Sequence, residues 1–214
     1  MSKTVKRYAM VVDLNKCTGC HTCTVSCKVE NEVPPAVWRT WVKVLEKGSY
    51  PLAKRYPLPV MCNNCENALC VKVCPTKASY KRPDGIVMID PHKCVGCKYC
   101  MAACPYQARH INPVRKYAQK CYFCSHRVEE GLMPACVESC PAGARIFGDM
   151  NDPASEVARI LIETPTSVLK PETGTNPSVF YIGLDKDVAN PLRGVDIIHH
   201  IEHAEDALHG IFLL

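Results

Sequence analysis

Residues 11–27 read VVDLNKCTGCHTCTVSC and residues 88–104 read MIDPHKCVGCKYCMAAC. Both reduce to Asp-x-x-Lys-Cys-x-Gly-Cys-x-x-Cys-x-x-x-Cys, so the chain contains an internal repeat. Cys17, Cys20, Cys23 and Cys27 form a first quartet, and Cys94, Cys97, Cys100 and Cys104 a third with the same C-x2-C-x2-C-x3-C spacing. Between and after them lie two looser quartets. The second is Cys62, Cys65, Cys70 and Cys74, and the fourth is Cys121, Cys124, Cys136 and Cys140. These two also resemble each other: each ends Cys-Val-x-x-Cys-Pro, with an alanine (Ala78, Ala144) three residues past the proline. The order is A-B-A-B, and the quartets use all 16 cysteines of the 214-residue chain.

Three chemistries compete for such thiols. A disulfide framework belongs to oxidising compartments and does not favour cysteines this closely spaced. Structural zinc joins two C-x2-C pairs across a longer loop, with no third thiol two residues further on. A [4Fe–4S] cube fits best. Three thiolates wrap three of its corners, and the cysteine before a proline reaches a second cluster. Cys17-Thr18-Gly19-Cys20-His21 also matches the haem-attachment pattern C-x-x-C-H. Covalent haem would consume two thiols the cube needs, and Lys98 replaces His21 in the third quartet. His21 is therefore expected to be solvated or to face a partner.

Strand signals set the pairing of quartets. Between quartets two and three, the strand around Ala78–Tyr80, the Asp84-Gly85 turn and the strand Ile86–Ile89 predict a hairpin. RHINPVRKYAQK, between quartets three and four, carries no such turn. ARIFGD (144–149) after quartet four finds its natural mate in YAMVVD (8–13) before quartet one. Quartets two and three then form one module, and quartets one and four another. The sets of ligands become Cys17, Cys20, Cys23 with Cys140; Cys121, Cys124, Cys136 with Cys27; Cys62, Cys65, Cys70 with Cys104; and Cys94, Cys97, Cys100 with Cys74. Pairing quartet one with two and three with four remains the alternative. The expected fold is α+β: two bacterial-ferredoxin-like 2[4Fe–4S] modules of small antiparallel sheets and short helices, with loop insertions. One module spans residues 1–61 plus 110–150 and the other 62–109, and 151–214 form a C-terminal extension for partner docking.

Composition agrees with a cluster-organised chain. Cysteine inflates the 47 % hydrophobic fraction, and only 4 phenylalanines and 2 tryptophans accompany it. Clusters would then hold together what a thin aliphatic core does not. No apolar run reaches the roughly 18 residues of a membrane helix. The first residues show neither a secretory apolar stretch nor a twin arginine. No G-x-G-x-x-G or P-loop supports nucleotide binding, and a scattered net +5 does not demand nucleic acid. Four cubes of charge about −2 take the chain from +5 to about −3. Lys16, Lys28, Lys93 and Lys98, beside ligands, are candidates for offsetting that charge.

The remaining segments are less determinate. VPPAVWRTWVKVLEKGSYP (33–51), with Trp38, Arg39 and Trp41, is either a protein interface or a strand covering a cluster. The insert of quartet four is expected to make a helical turn with a partner-facing surface. A helix is expected to start at Asn151 or Asp152 and continue through ASEVARILIE, and SVFYIG (178–183) is expected to be a strand. GVDIIHHIEHAEDALHGIFLL (194–214) reads as a helix, with His199, His200, His203 and His209 solvated rather than closed on a metal. Its apolar end, Ile211 to Leu214, is a candidate docking element.

YAMVVDLNKCTGCHTCTVSCKVENEVPP (8–35), CPTKASYKRPDGIVMID (74–90) and KCYFCSHRVEEGLMPACVESCPAGARIFGD (120–149) resemble the four-cluster iron–sulfur subunits of the molybdopterin oxidoreductase (DMSO reductase) superfamily. Within it the chain is most similar to the electron-transfer subunits of polysulfide, thiosulfate, tetrathionate and arsenate reductases. The resemblance implies four [4Fe–4S] clusters and no catalysis by the chain itself. It implies a separate large subunit with molybdenum or tungsten pterin, and an integral membrane quinone-binding subunit, in anaerobic respiration. It also implies that the cluster of Cys17, Cys20, Cys23 and Cys140 lies nearest the large subunit, and that of Cys62, Cys65, Cys70 and Cys104 nearest the membrane end. Tyr99 and Tyr106 would exclude water. The outer, periplasmic face of the membrane is the implied location, reached by export with the large subunit, with the cytoplasmic face as the alternative. A soluble two-subunit hydroxylase or transhydroxylase, or a hydrogenase or formate dehydrogenase complex, are the competing settings.

Overall fold

The computed structural model describes residues 5–189 and the backbone of residues 197–200. Its centre is the strand β1 (Tyr8–Asp13), whose Ala9, Met10, Val11 and Val12 are all fully buried. Alternation sends its two faces to different tasks. Met10 and Val12 join the main core, which contains several cluster cysteines, and Ala9 and Val11 join a second core with Val157. Burying one such valine contributes about 1.5–3 kcal/mol.

Short helices and strands alternate along the chain. They are α1 (Thr22–Glu30), β2 (Thr40–Lys47), β3 (Lys54–Met61), α2 (Leu69–Lys72), β4 (Ser79–Lys81), β5 (Val87–Ile89), α3 (Tyr99–Ala102), β6 (His110–Ile111) and β7 (Ala118–Gln119). Then come α4 (Ser125–Glu129), α5 (Ala135–Glu138), β8 (Arg145–Asp149), α6 (Glu156–Glu163), β9 (Val179–Ile182), α7 (Lys186–Ala189) and β10 (Ile197–His200). No helix among the described residues is long and apolar enough to cross a membrane.

β1 pairs antiparallel with β8, with Met10 opposite Phe147 and Val11 opposite Ile146. Phe147 stacks on Tyr8 at 5.3 Å and meets Phe123 edge-on at 5.4 Å, which fills the space beneath this ladder. β4 and β5 form the hairpin that the Asp84-Gly85 turn predicts. The Asp84 carboxylate accepts from the Ile86 amide at 3.1 Å and so fixes the turn.

The structure differs from the sequence reading in four places. RHINPVRKYAQK does contain a hairpin, because β6 pairs with β7. Its turn is built by a side chain: the Asn112 amide oxygen accepts from the Val114 and Arg115 amides, and Lys116 takes a positive φ of 60°. The helix expected from Asn151 starts later, at Glu156 behind Ser155. Asp152 instead holds a turn, its carboxylate accepting from Ala154 and its carbonyl from Ser155. The sheets are not purely antiparallel, because β9 adds parallel to the other edge of β1, with Val11 opposite Phe180. Finally, residues 197–200 are not helical. They form β10, antiparallel to β2, since the period-two ladder on a free strand edge satisfies their backbone groups. The rest of the expected terminal helix, with His203, His209 and the apolar end, lies outside the described residues.

Segment 33–51 supplies β2, whose long hairpin with β3 pairs Leu45 with Tyr56. β3 carries Pro57 and Pro59, which cannot donate to a ladder. The Pro59 carbonyl accepts from the Tyr181 hydroxyl at 2.9 Å, so this side of β3 turns away from β2 and the missing amides cost nothing. Arg39 is buried and Trp41 packs against the main core. The segment therefore covers the cysteine-rich interior, and Arg39 is not part of an exposed interface.

Candidate iron–sulfur centres

Local backbone geometry explains how a short loop gathers thiols. In each A repeat a glycine stands between the first two cysteines: Gly19 with φ 72° and Gly96 with φ 69°. A side chain there would be strained and crowded. A Cβ on Gly19 would lie 3.2 Å from Pro57, and one on Gly96 3.1 Å from the Lys116 carbonyl. The next left-handed residues, His21 and Lys98, start α1 and α3. On α1, Cys23 and Cys27 are one turn apart and both buried.

All sixteen cysteines are free thiols. Cys17, Cys20, Cys23 and Cys140 wall one cavity, together with Pro59, Ala144 and Arg145. Cys74, Cys94, Cys97 and Cys100 wall another, with Ser79, Arg109 and Ala118. The Ser79 amide donates to Cys74 Sγ at 3.4 Å and the Ala118 amide to Cys94 Sγ at 3.5 Å. In the other two groups the thiols press on one another electrostatically. Burial, then Cys62, with Cys70 and Cys104 also contributing, pushes the Cys65 thiol up to about 12. Burial, then Cys136 and Cys124, pushes Cys27 up to about 12. Cys121 is raised by burial and by Cys27, Cys136 and Cys124. Two cavities are thus each walled by three cysteines of one quartet and one of another, and the electrostatic neighbours of Cys65 and Cys121 follow the same three-plus-one grouping.

Four thiols in a buried group cannot ionise together without a cation between them. A zinc ion would hold its sulfurs at about 2.3 Å from one point. Two groups of four cysteines wall cavities, and an all-sulfur donor set suits an iron–sulfur cube. A further fit comes from Arg109. Its Nη2 donates to Cys70 Sγ and to Ser79 Oγ, both at 2.9 Å, while its Nε and Nη1 are buried without a partner. Such donors call for a hydrogen-bond acceptor.

Four buried cations line these groups. Arg145 donates to Thr40 Oγ1 at 3.0 Å. Burial works against its charge, but Cys136 and Cys23 outweigh that and raise its pKa. Lys120 donates to Asn64 Oδ1 at 3.0 Å and to the Cys121 carbonyl at 2.7 Å, and it interacts with Cys62 and Cys70. Burial lowers its pKa, partly offset by Cys62. Arg39 donates to Asn31 Oδ1 at 2.9 Å and lies over the Tyr122 ring. Asn31 Nδ2 in turn reaches Cys27 Sγ at 3.6 Å and Cys124 Sγ at 3.8 Å.

Lys16, Lys93 and Lys98, candidates for offsetting cluster charge, are exposed as ordinary surface lysines are, and the first two pair with Asp13 and Asp90. Lys28 donates to the Pro34 carbonyl and lies over Trp38. Proximity in sequence points outward here because a ligand's neighbour in a tight loop faces solvent. A readable signal did exist for two of the buried cations: Arg109 and Arg145 occupy matching places in CPYQAR (104–109) and CPAGAR (140–145). Of the two tyrosines, Tyr106 is half-buried and hydrogen-bonded to Thr175, whereas Tyr99 is 61 % exposed.

Comparison with known proteins bears on this geometry. A 4Fe–4S dicluster domain matches residues 53–150 and a 4Fe–4S binding domain matches residues 8–29. A tetrathionate reductase subunit of Salmonella typhimurium is 52 % identical over 193 residues, covering 88 % of this chain and 77 % of the relative. The protein belongs to the iron–sulfur subunits of the molybdopterin oxidoreductase family. A polysulfide reductase chain of Wolinella succinogenes is 46 % identical over 183 residues, covering 83 % of this chain and 94 % of the relative. A putative dimethyl sulfoxide reductase iron–sulfur subunit of Halobacterium salinarum is 42 % identical over 233 residues, with 94 % and 88 % covered. As a member of this family the chain is an electron-transfer subunit that binds [4Fe–4S] clusters, of the kind used in anaerobic respiration.

Proposed function

We propose that the chain carries electrons through four [4Fe–4S] clusters between a molybdopterin catalytic subunit and a quinone-linked membrane subunit. The observation that carries this reading is the pair of cavities each walled by four cysteines, three from one quartet and one from another. The ligand sets are Cys17, Cys20, Cys23 and Cys140; Cys121, Cys124, Cys136 and Cys27; Cys62, Cys65, Cys70 and Cys104; and Cys94, Cys97, Cys100 and Cys74. They make two ferredoxin-like modules: quartets one and four, closed by β1 and β8, and quartets two and three, closed by β4 and β5. The bound cubes supply one-electron redox chemistry, and the chain sets their potentials through burial, charge and hydrogen bonds to sulfur.

Lys120 supports an order for the path. It contacts Cys121 and interacts with Cys62 and Cys70, so the quartet-two site lies inward, beside the quartet-four site. Cys97 of the quartet-three site is exposed. The outward end of the second module is then the site of Cys94, Cys97, Cys100 and Cys74. This replaces the expectation that Cys62, Cys65, Cys70 and Cys104 stand at the membrane end. The other end remains Cys17, Cys20, Cys23 and Cys140, toward the large subunit. The relatives' names point to a sulfur-compound reductase and to a place beside other subunits. Association with the membrane, on its outer face, follows from the same reading.

Anaerobic purification through a tag on this chain, from its native host, tests the assembly. Molybdenum or tungsten with a large subunit and an integral membrane subunit is the expected result. Either metal without a membrane subunit would favour a soluble two-subunit hydroxylase. Iron without either metal would favour a hydrogenase-like setting.

A further inference from the structure

Arg109 and Arg145 follow the fourth cysteine of quartets three and four at the same offset, 109 against 104 and 145 against 140. Both are buried, at 4 % and 3 % exposure. Each reaches two different groups of thiols. Arg109 donates to Cys70 Sγ at 2.9 Å and also walls the cavity of Cys74, Cys94, Cys97 and Cys100. Arg145 walls the cavity of Cys17, Cys20, Cys23 and Cys140 and interacts electrostatically with Cys136. Their other partners are neutral: Ser79 for Arg109, and Thr40 and Met61 for Arg145. A guanidinium keeps its charge in any protein, and burying it without a counter-charge is costly. The counter-charge available to each is the pair of sulfur sites it touches.

We propose that Arg109 and Arg145 are positioning charges, each shared by the two clusters of one module, which favour the reduced form of both. This rests on the four-cluster reading above. A cluster that accepts an electron gains negative charge, and a fixed cation in a low-dielectric gap stabilises that form. One cation between two clusters raises both potentials together. The repeat then carries one arginine per module: Arg145 for quartets one and four, Arg109 for quartets two and three.

Redox titration of the anaerobically purified complex, followed by electron paramagnetic resonance, tests this with Arg109→Gln, Arg145→Gln and the two lysine substitutions. Each glutamine variant is expected to lower two of the four potentials, a different two for each arginine. The expected size is at least a tenfold change in the reduced-to-oxidised ratio, about 59 mV for a one-electron couple. The lysine variants are expected to restore most of it. Potentials unmoved in a variant with full iron, or all four shifted alike, would overturn the proposal. Where a glutamine variant loses iron, the lysine variant decides. Iron retained with near-normal potentials sustains the role of charge, and equal loss makes the guanidinium a structural strut. Iron in the unsubstituted chain well short of roughly sixteen atoms would instead refute the four-cluster reading itself.

Discussion

Ile146 stands opposite Val11 across the β1–β8 ladder, and the Asp13 amide donates to the Ala144 carbonyl at 2.8 Å just beyond it. This ladder brings Cys140, at the end of the fourth quartet, to the loop of the first. The closure joins the two ends of the cysteine-rich region, so the cavity walled by Cys17, Cys20, Cys23 and Cys140 draws on both.

Cys140→Ser is therefore expected to damage the cluster of Cys17, Cys20 and Cys23 rather than the site of Cys121, Cys124 and Cys136. Electron paramagnetic resonance of the reduced complex reads this. Loss confined to the cluster of Cys121, Cys124 and Cys136 would contradict the pairing.

Gly96→Ala places a Cβ in a left-handed backbone, at a cost of about 1–2 kcal/mol, and 3.1 Å from the Lys116 carbonyl. The loop must open away from the β6–β7 turn. The expected outcome is loss of about four iron atoms per chain, those of the quartet-three site, with the other three spectra intact. Full iron and unchanged thermal stability would count against the loop geometry.

Asn31→Leu removes an amide that reaches both Cys27 Sγ and Cys124 Sγ. Hydrogen bonds to sulfur raise a cluster's potential. The potential of the Cys121, Cys124, Cys136 and Cys27 cluster is expected to fall, with the other three unmoved. A redox titration that finds no change at that cluster would remove Asn31 from its tuning.

Tyr181→Phe leaves the Pro59 carbonyl without the hydroxyl that satisfies it in a buried place. The expected cost is about 1–3 kcal/mol, read as a lower thermal midpoint with iron content unchanged. An unchanged midpoint would show that another donor or water takes over at Pro59.

The cysteine spacings pointed to the two cavities that four cysteines wall, because each spacing is a local geometric statement about a cube. The Asp84-Gly85 turn and the apolar run of β1 were legible for the same reason: both signals are short-range. What stayed hidden is tertiary. The β6–β7 hairpin turns on the Asn112 side chain instead of a glycine, so RHINPVRKYAQK shows no turn signature. β9 joins β1 in parallel, from far along the chain, and no periodicity announces that. The lysines beside ligands drew notice by adjacency, whereas the charge that is buried comes from Arg39, Arg109, Lys120 and Arg145, placed by folding. β10 was misread because IIHHIEHAE carries an apolar pattern compatible with a helix, while the open edge of β2 makes a strand of its first residues.

Four [4Fe–4S] clusters in this one chain underlie each of these expectations. Iron and acid-labile sulfide, counted per chain in the anaerobically purified complex and corrected for the partner's own clusters, test their number most directly. Roughly sixteen of each are predicted. Zinc in place of iron, or a count near eight, would contradict it.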